Sequence, residues 1–172
     1  MRMEWYAIFV TTGKEEYVAD WLQIMSPESI GTTLIPKRKL IERRQGKSKQ
    51  VLKKMFPGYV LVNIDMDFRV YYILKKIPNL VRILNSGDYY SRIDPEEMVG
   101  IHRLLGDGDV IDYSKVYFMN SKVVVKSGPL EGMEGLIKKV DQRKLRAKIE
   151  VRFMGEPKEI DVGIEILNQV DG

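Results

Sequence analysis

The chain of 172 residues has no cysteine and a single histidine, His102. Without a thiol there is no disulfide, no thiolate nucleophile and no sulfur ligand. One imidazole with no second nitrogen or sulfur ligand argues against a zinc site. No apolar run approaches the roughly 20 residues needed to span a bilayer. The opening MRMEWYAIFVTTGKEE has no small-residue cleavage site after its short apolar stretch. These absences lead us to expect a cytoplasmic protein with no membrane contact, no metal and no cofactor. Gly106-Asp107-Gly108 lacks the lysine of a phosphate-binding loop, and Ser127-Gly128-Pro129 is not a nucleophile elbow. Asp65 and Asp67, with His102, could be imagined as a magnesium-dependent nuclease. Asp-x-Asp leading into a helix is more simply a cap. The chain therefore reads as not an enzyme.

What is present is charge, unevenly spread. The formal net charge is only +4, with a pI of about 9.1. From Lys37 to Lys54, however, nine Lys or Arg accompany one acid, Glu42. From Lys138 to Arg152, seven bases accompany Asp141 and Glu150. Between them, Asp88 to Asp112 holds seven acids against Arg92 and Arg103. Two basic patches divided by an acidic stretch imply two contact surfaces.

Periodicity divides the chain in two. Trp5 to Val10 is an apolar run typical of a buried strand, and Tyr17, Val18, Trp21 and Leu22 fall at helical spacing over Lys14–Ile24. A strand over Leu34–Ile41 should enter a basic hairpin tip near Gly46 and return through Val51–Met55. Tyr59–Ile64 reads as a strand, Phe68–Lys76 as a helix and Leu80–Leu84 as a strand. Asp94-Pro95-Glu96-Glu97 starts a further helix, with Asp94 as cap. This half is an α+β layer of antiparallel sheet and helices. Residues 1–107 form this domain, and 108–118, without helical or alternating pattern, read as a linker. Residues 119–172 hold short strands at Lys122–Val125, Gly135–Val140, Arg146–Phe153 and Lys158–Val162, with Ile164–Val170 closing. Gly and Pro turns between them indicate a small all-β barrel. Alternation in Arg146, Lys148, Glu150 and Arg152 places these four on one face and turns Leu145, Ala147, Ile149, Val151 and Phe153 inward.

Two local sequences are specific. MFPGYVLV, Met55 to Val62, follows a basic hairpin and begins an apolar strand. VVVKSGPLEGMEG, Val123 to Gly135, combines a strand, a Gly-Pro turn and a later glycine suited to a crowded barrel corner. Together with WYAIFV and the Gly13-Lys14-Glu15 that precedes a helix, they resemble the NusG family of transcription elongation factors over essentially the whole chain. The resemblance implies an NGN domain followed by an SH3-like KOW barrel. It also implies that the aromatics of the Phe-Pro-Gly-Tyr turn line an apolar pocket for the clamp helices of RNA polymerase. On that basis Phe56 and Tyr59 are the leading contacts, Tyr6 and Phe9 possible walls, and Arg38 and Lys39 contacts to acidic polymerase residues or nearby DNA of the transcription bubble.

Within the family, IPKRKLIERRQGK and MFPGYVLV look like the LoaP branch of antiterminators. General NusG, in this resemblance, carries phenylalanines where Leu130 and Met133 stand, and uses them on a ribosomal protein or Rho. The LoaP-type implication is a KOW domain that recognises a nascent leader RNA hairpin. The candidate RNA contacts are Arg143, Lys144, Arg146, Lys148 and Arg152, with Lys122 and Lys126 secondary. A monomer suffices for this. The general NusG factor and a ribosome-associated RNA-binding protein stay open as alternatives.

Overall fold

The computed structural model describes residues 2–25, 27–83 and 90–167. They form two compact units that are not contiguous in sequence: Met1–Ile35 with Phe56–Met98, and Pro36–Met55 with Val99–Gly172. The mixed α+β class holds, but the boundary expected near residue 107 does not describe how the chain packs, because the basic hairpin clusters with the C-terminal residues.

In the first unit, strand β1 (Met3–Val10) lies between β5 (Tyr59–Asp65) and β6 (Leu80–Ile83), and β2 (Ile30–Leu34) flanks β5. β1 and β5 are antiparallel, with Ala7 opposite Leu61. Helix α1 (Glu15–Met25) turns Val18, Ala19 and Leu22 inward, as its spacing requires, and its first-turn acids complement the helix dipole. Helix α2 (Phe68–Leu74) starts at Asp67, whose carboxylate accepts the Val70 N–H at 2.9 Å. The core joins Tyr6, Ile8 and Val10 of β1 to Val18 and Leu22, Val70 and Leu74, and Val60, Val62 and Ile64. Each such side chain contributes on the order of 1.5–3 kcal/mol by leaving water.

The expected strand over Leu34–Ile41 is in fact two. Pro36 separates β2 from β3 (Lys37–Arg44), and its carbonyl accepts the Met55 N–H at 2.7 Å. A proline has no N–H to continue a ladder, so the strand ends there. Strand β2 escapes notice in the sequence because IGTTL is buried only at its two ends.

In the second unit, β3 pairs with β4 (Lys47–Lys54), Arg44 opposite Lys47. Gln45 and Gly46 both have positive φ, 51° and 75°, as a two-residue hairpin turn of the I′ kind needs. Residues 108–118 are not a linker. β7 (Val110–Ile111) pairs in parallel with β3, and β8 (Ser114–Met119) is a full strand. A two-residue ladder is too short to show periodicity, which is why the sequence hides it, yet Ile111 and Val116 are buried. Helix α3 (Pro95–Leu105), whose first turn up to Met98 is assigned to the first unit, begins as expected, with Asp94 accepting the Glu96 N–H at 2.8 Å.

A five-stranded sheet completes this unit, ordered β10 (Ile137–Asp141), β11 (Arg146–Phe153), β12 (Glu156–Ile166), β8, β9 (Lys122–Ser127). β12 is one long strand: its first part pairs with β11 and its end runs parallel to β8, Ile164 opposite Ser114. The expected break before Ile164 is absent, and the stretch past residue 167, like Leu84, lies outside the described residues. Gly135 sits in a single 3-10 turn, Glu134–Leu136, with open space where a Cβ would be, so it makes no close approach. Leu130 is fully buried, and its N–H donates to the buried Ser114 Oγ at 2.9 Å, strapping the Gly-Pro turn to the start of β8. Among the described residues no helix is long and apolar enough to cross a membrane.

Candidate functional site

The Phe56-Pro57-Gly58-Tyr59 turn leads into β5. The Tyr59 N–H donates to the Phe56 carbonyl at 3.1 Å, with Pro57 second and Gly58 third at φ +86°, the arrangement of a type II turn. A Cβ on Gly58 would lie 3.2 Å from the Phe9 ring. The turn is held from beneath by Glu15, which is 1% exposed. Its carboxylate accepts the Gly58 N–H at 2.9 Å and the Gly13 N–H at 3.0 Å. Glu15 was noted in the sequence only as part of Gly-Lys-Glu ahead of a helix, and its bracing role depends on a partner far along the chain.

Phe56 is only 5% exposed, so it packs beneath the turn and is not presented by it. Tyr59 is half-buried, its ring 5.3 Å from that of Phe9, and the Arg82 guanidinium stands 5.7 Å from the Phe9 ring. Phe9, Tyr59 and Arg82 are thus the accessible part of this site, and Arg82 gave no sequence signal. Tyr6 does not wall it. Alternation along β1 sends Tyr6 to the face opposite Phe9, into the helix-covered core. Burial first, then the Glu4 carboxylate, pushes the Tyr6 hydroxyl up to about 12.

Arg38 and Lys39 are engaged within their own unit. Arg38 Nη1 donates to the Asp161 carbonyl at 2.6 Å, and Lys39 pairs with Asp112 at 3.2 Å. Burial, with Arg146 nearby, lowers the proton affinity of Arg38, which Asp161 partly restores. The Asp112 carboxyl is held below its ordinary range, chiefly by the Tyr113 N–H and also by Lys39.

On β11 the expected alternation is present: Ala147, Ile149, Val151 and Phe153 are buried, and Arg146, Lys148, Glu150 and Arg152 face out. Leu145 instead lies in the preceding turn at φ +56° and is half-buried. The basic face is diluted. Lys138 pairs with Glu150 at 3.7 Å, Lys148 lies opposite Asp161, and Arg152 donates to the Gly155 carbonyl. Arg143 and Lys144 stand exposed on the β10–β11 turn, where Asp141 accepts the Lys144 N–H at 2.9 Å. That bond holds the Asp141 carboxyl below its ordinary range. Arg143, Lys144 and Arg146 come together around a cavity of about 580 Å³, joined there by Arg43 and Arg44 of the hairpin, which nothing in the sequence distinguishes from the other cations of that run. Lys122 and Lys126, on β9, do not line it. Asp67 is a helix cap, and among the described residues no three His, Cys, Asp or Glu converge as metal ligands.

The molecule is therefore an α+β unit bearing a braced aromatic turn, with a second, β-rich unit bearing a cationic cavity. Residues 3–102 match the family model described as transcription termination factor NusG. The chain belongs to the NusG family. A transcription termination/antitermination protein NusG of Rickettsia felis is 26% identical, with 98% of this chain and 91% of that protein covered. Its namesake in Halalkalibacterium halodurans is 27% identical, with 94% and 96% covered. A solved structure concerning domain interaction in Thermotoga maritima NusG has a TM-score of 0.64 at 24% identity, covering 95% of this chain and 94% of that one, a likeness of fold.

Proposed function

We propose that the chain is a specialised antitermination factor of the LoaP type. Its first unit holds the clamp helices of RNA polymerase at the Phe9–Tyr59 face, and its second unit, a KOW domain, holds a hairpin of the nascent leader RNA. The observation that carries this reading is the gathering of Arg143, Lys144 and Arg146 at one end of the β-rich unit, without an aromatic platform for single-stranded bases. The fully buried Leu130 adds to it: a side chain inside the core cannot replace the aromatic anchor expected of general NusG. Two-point attachment needs no catalysis. Binding that favours the closed, elongating enzyme shifts its population toward that state, and the RNA contact raises the local concentration of the first unit.

Single-round transcription through a leader hairpin followed by a terminator tests this. Read-through is expected to rise only when the hairpin is present. Equal read-through on a template without the hairpin would rule the specialised role out. The names of the relatives favour a second reading, a general termination/antitermination factor. Retention of a ribosomal protein or Rho by the full chain, with no preference for hairpin RNA, is its signature.

A further inference from the structure

The two basic patches of the sequence lie in one unit, and several contacts bring them together. Gly163 of β12 meets the backbone of β3 so closely that a Cβ would lie 2.5 Å from the Lys39 carbonyl oxygen. Arg38 donates to the Asp161 carbonyl at 2.6 Å, Lys37 pairs with Asp109 at 3.1 Å, and the Tyr113 hydroxyl reaches Gln50 at 3.3 Å. The hairpin is thus fastened along its base, and its tip stands beside the β10–β11 turn.

The cavity there is lined by Arg43 and Arg44 from one side and Arg143, Lys144 and Arg146 from the other. Its single acid, Glu42, is already paired with Lys53 at 3.4 Å. Arg146 is incompletely satisfied: its Nε is buried without a hydrogen bond, as is that of Arg38, and its Nη1 stands 3.9 Å from the Asp161 carboxylate. Like charges held together with unsatisfied donors lower stability in the empty state and favour an incoming anion. The cations continue in both directions. Arg44 also lines a hollow with Lys47, Lys49 and the Lys53-paired Glu42, and Lys144 and Arg146 line another with Lys139 and Lys148, where bases still outnumber Asp141 and Asp161. A chain of linked hollows suits a polyanion better than a single phosphate.

We infer that the β3–β4 tip and the β10–β11 turn form one composite site that grips the phosphate backbone of a folded RNA, so that the hairpin is half of the RNA-binding surface. This rests on the RNA-binding reading above and adds Arg43 and Arg44 to it.

The test measures binding of the full chain to an RNA stem-loop of about 16 base pairs across a salt series, with duplex DNA of the same sequence beside it. Arg43→Gln/Arg44→Gln is expected to weaken RNA binding about tenfold and to flatten the salt slope by about 1.5, as loss of two phosphate contacts requires. Arg143→Gln/Lys144→Gln should do the same, Arg43→Lys/Arg44→Lys should keep most of the binding, and Arg69→Gln/Lys76→Gln should change nothing. If the hairpin variant binds as wild type while the turn variant is weakened, the composite site is wrong and RNA binding by the C-terminal sheet stands. If the wild type does not bind the stem-loop, both fall. Equal binding and equal losses on DNA would overturn the assignment to RNA.

Discussion

The Glu15 carboxylate and the Gly58 N–H meet at 2.9 Å inside the first unit, tying the start of α1 to the aromatic turn 43 residues later. Replacing Glu15 by Ala removes a charged acceptor from two N–H groups, Gly58 and Gly13. We expect Glu15→Ala to lower stability by about 1.5–3 kcal/mol, with Glu15→Gln intermediate because one of the two accepting oxygens becomes an NH2 that cannot accept. Urea denaturation of the three proteins checks this, and equal midpoints would show that the turn holds itself.

Phe56 and Tyr59 should separate by the kind of damage they cause. Phe56→Ala opens a cavity in the core and is expected to cost about 3–5 kcal/mol. Tyr59→Ala should leave folding largely intact and weaken polymerase binding about tenfold or more, as an interface aromatic does. Thermal melts together with polymerase pull-down distinguish the two. Polymerase binding unchanged in Tyr59→Ala and Phe9→Ala would remove this face from consideration.

Gly163→Ala tests how the hairpin is seated. The new methyl would press on the Lys39 carbonyl, and overpacking of this kind costs about 1–3 kcal/mol. Amide exchange over Lys37–Arg44 is expected to quicken while the β11 amides keep their protection. Exchange unchanged in β3 would mean that this contact does not seat the hairpin.

Acid should loosen the same region. The Asp112 carboxyl is depressed when folded, by the Tyr113 N–H first and by Lys39. A depressed carboxyl stabilises the fold above its unfolded pKa of about 3.9, and that contribution disappears as pH falls through the lower folded value. Wild type is therefore expected to exceed Asp112→Asn in stability at pH 6 and to lose that advantage progressively as acid takes the solution below the unfolded pKa and through the depressed folded one. A constant difference across that range would exclude the linkage.

Several features were legible because they depend on neighbours in sequence. Asp67 and Asp94 were readable as caps from the residues that follow them, and both make the expected bond. The β11 alternation follows from the two-residue period of a strand. Illegible features depend on remote partners or on ladders too short to repeat. The β7 pairing spans two residues, the burial of Phe56 depends on what the turn folds over, and Arg38 finds its acceptor 123 residues away.

Sequence by itself determined the chemistry available: no thiol, one imidazole, an aromatic Pro-Gly turn and two runs of cations. Tertiary structure alone decided which of these groups face water and which face one another. It sank Phe56, spent Arg38 and Lys39 on internal contacts, and set Arg43 and Arg44 beside Arg143 and Lys144. The reason is physical: periodicity and turn chemistry act over a few residues, whereas burial and the pairing of charges are settled only when distant segments pack.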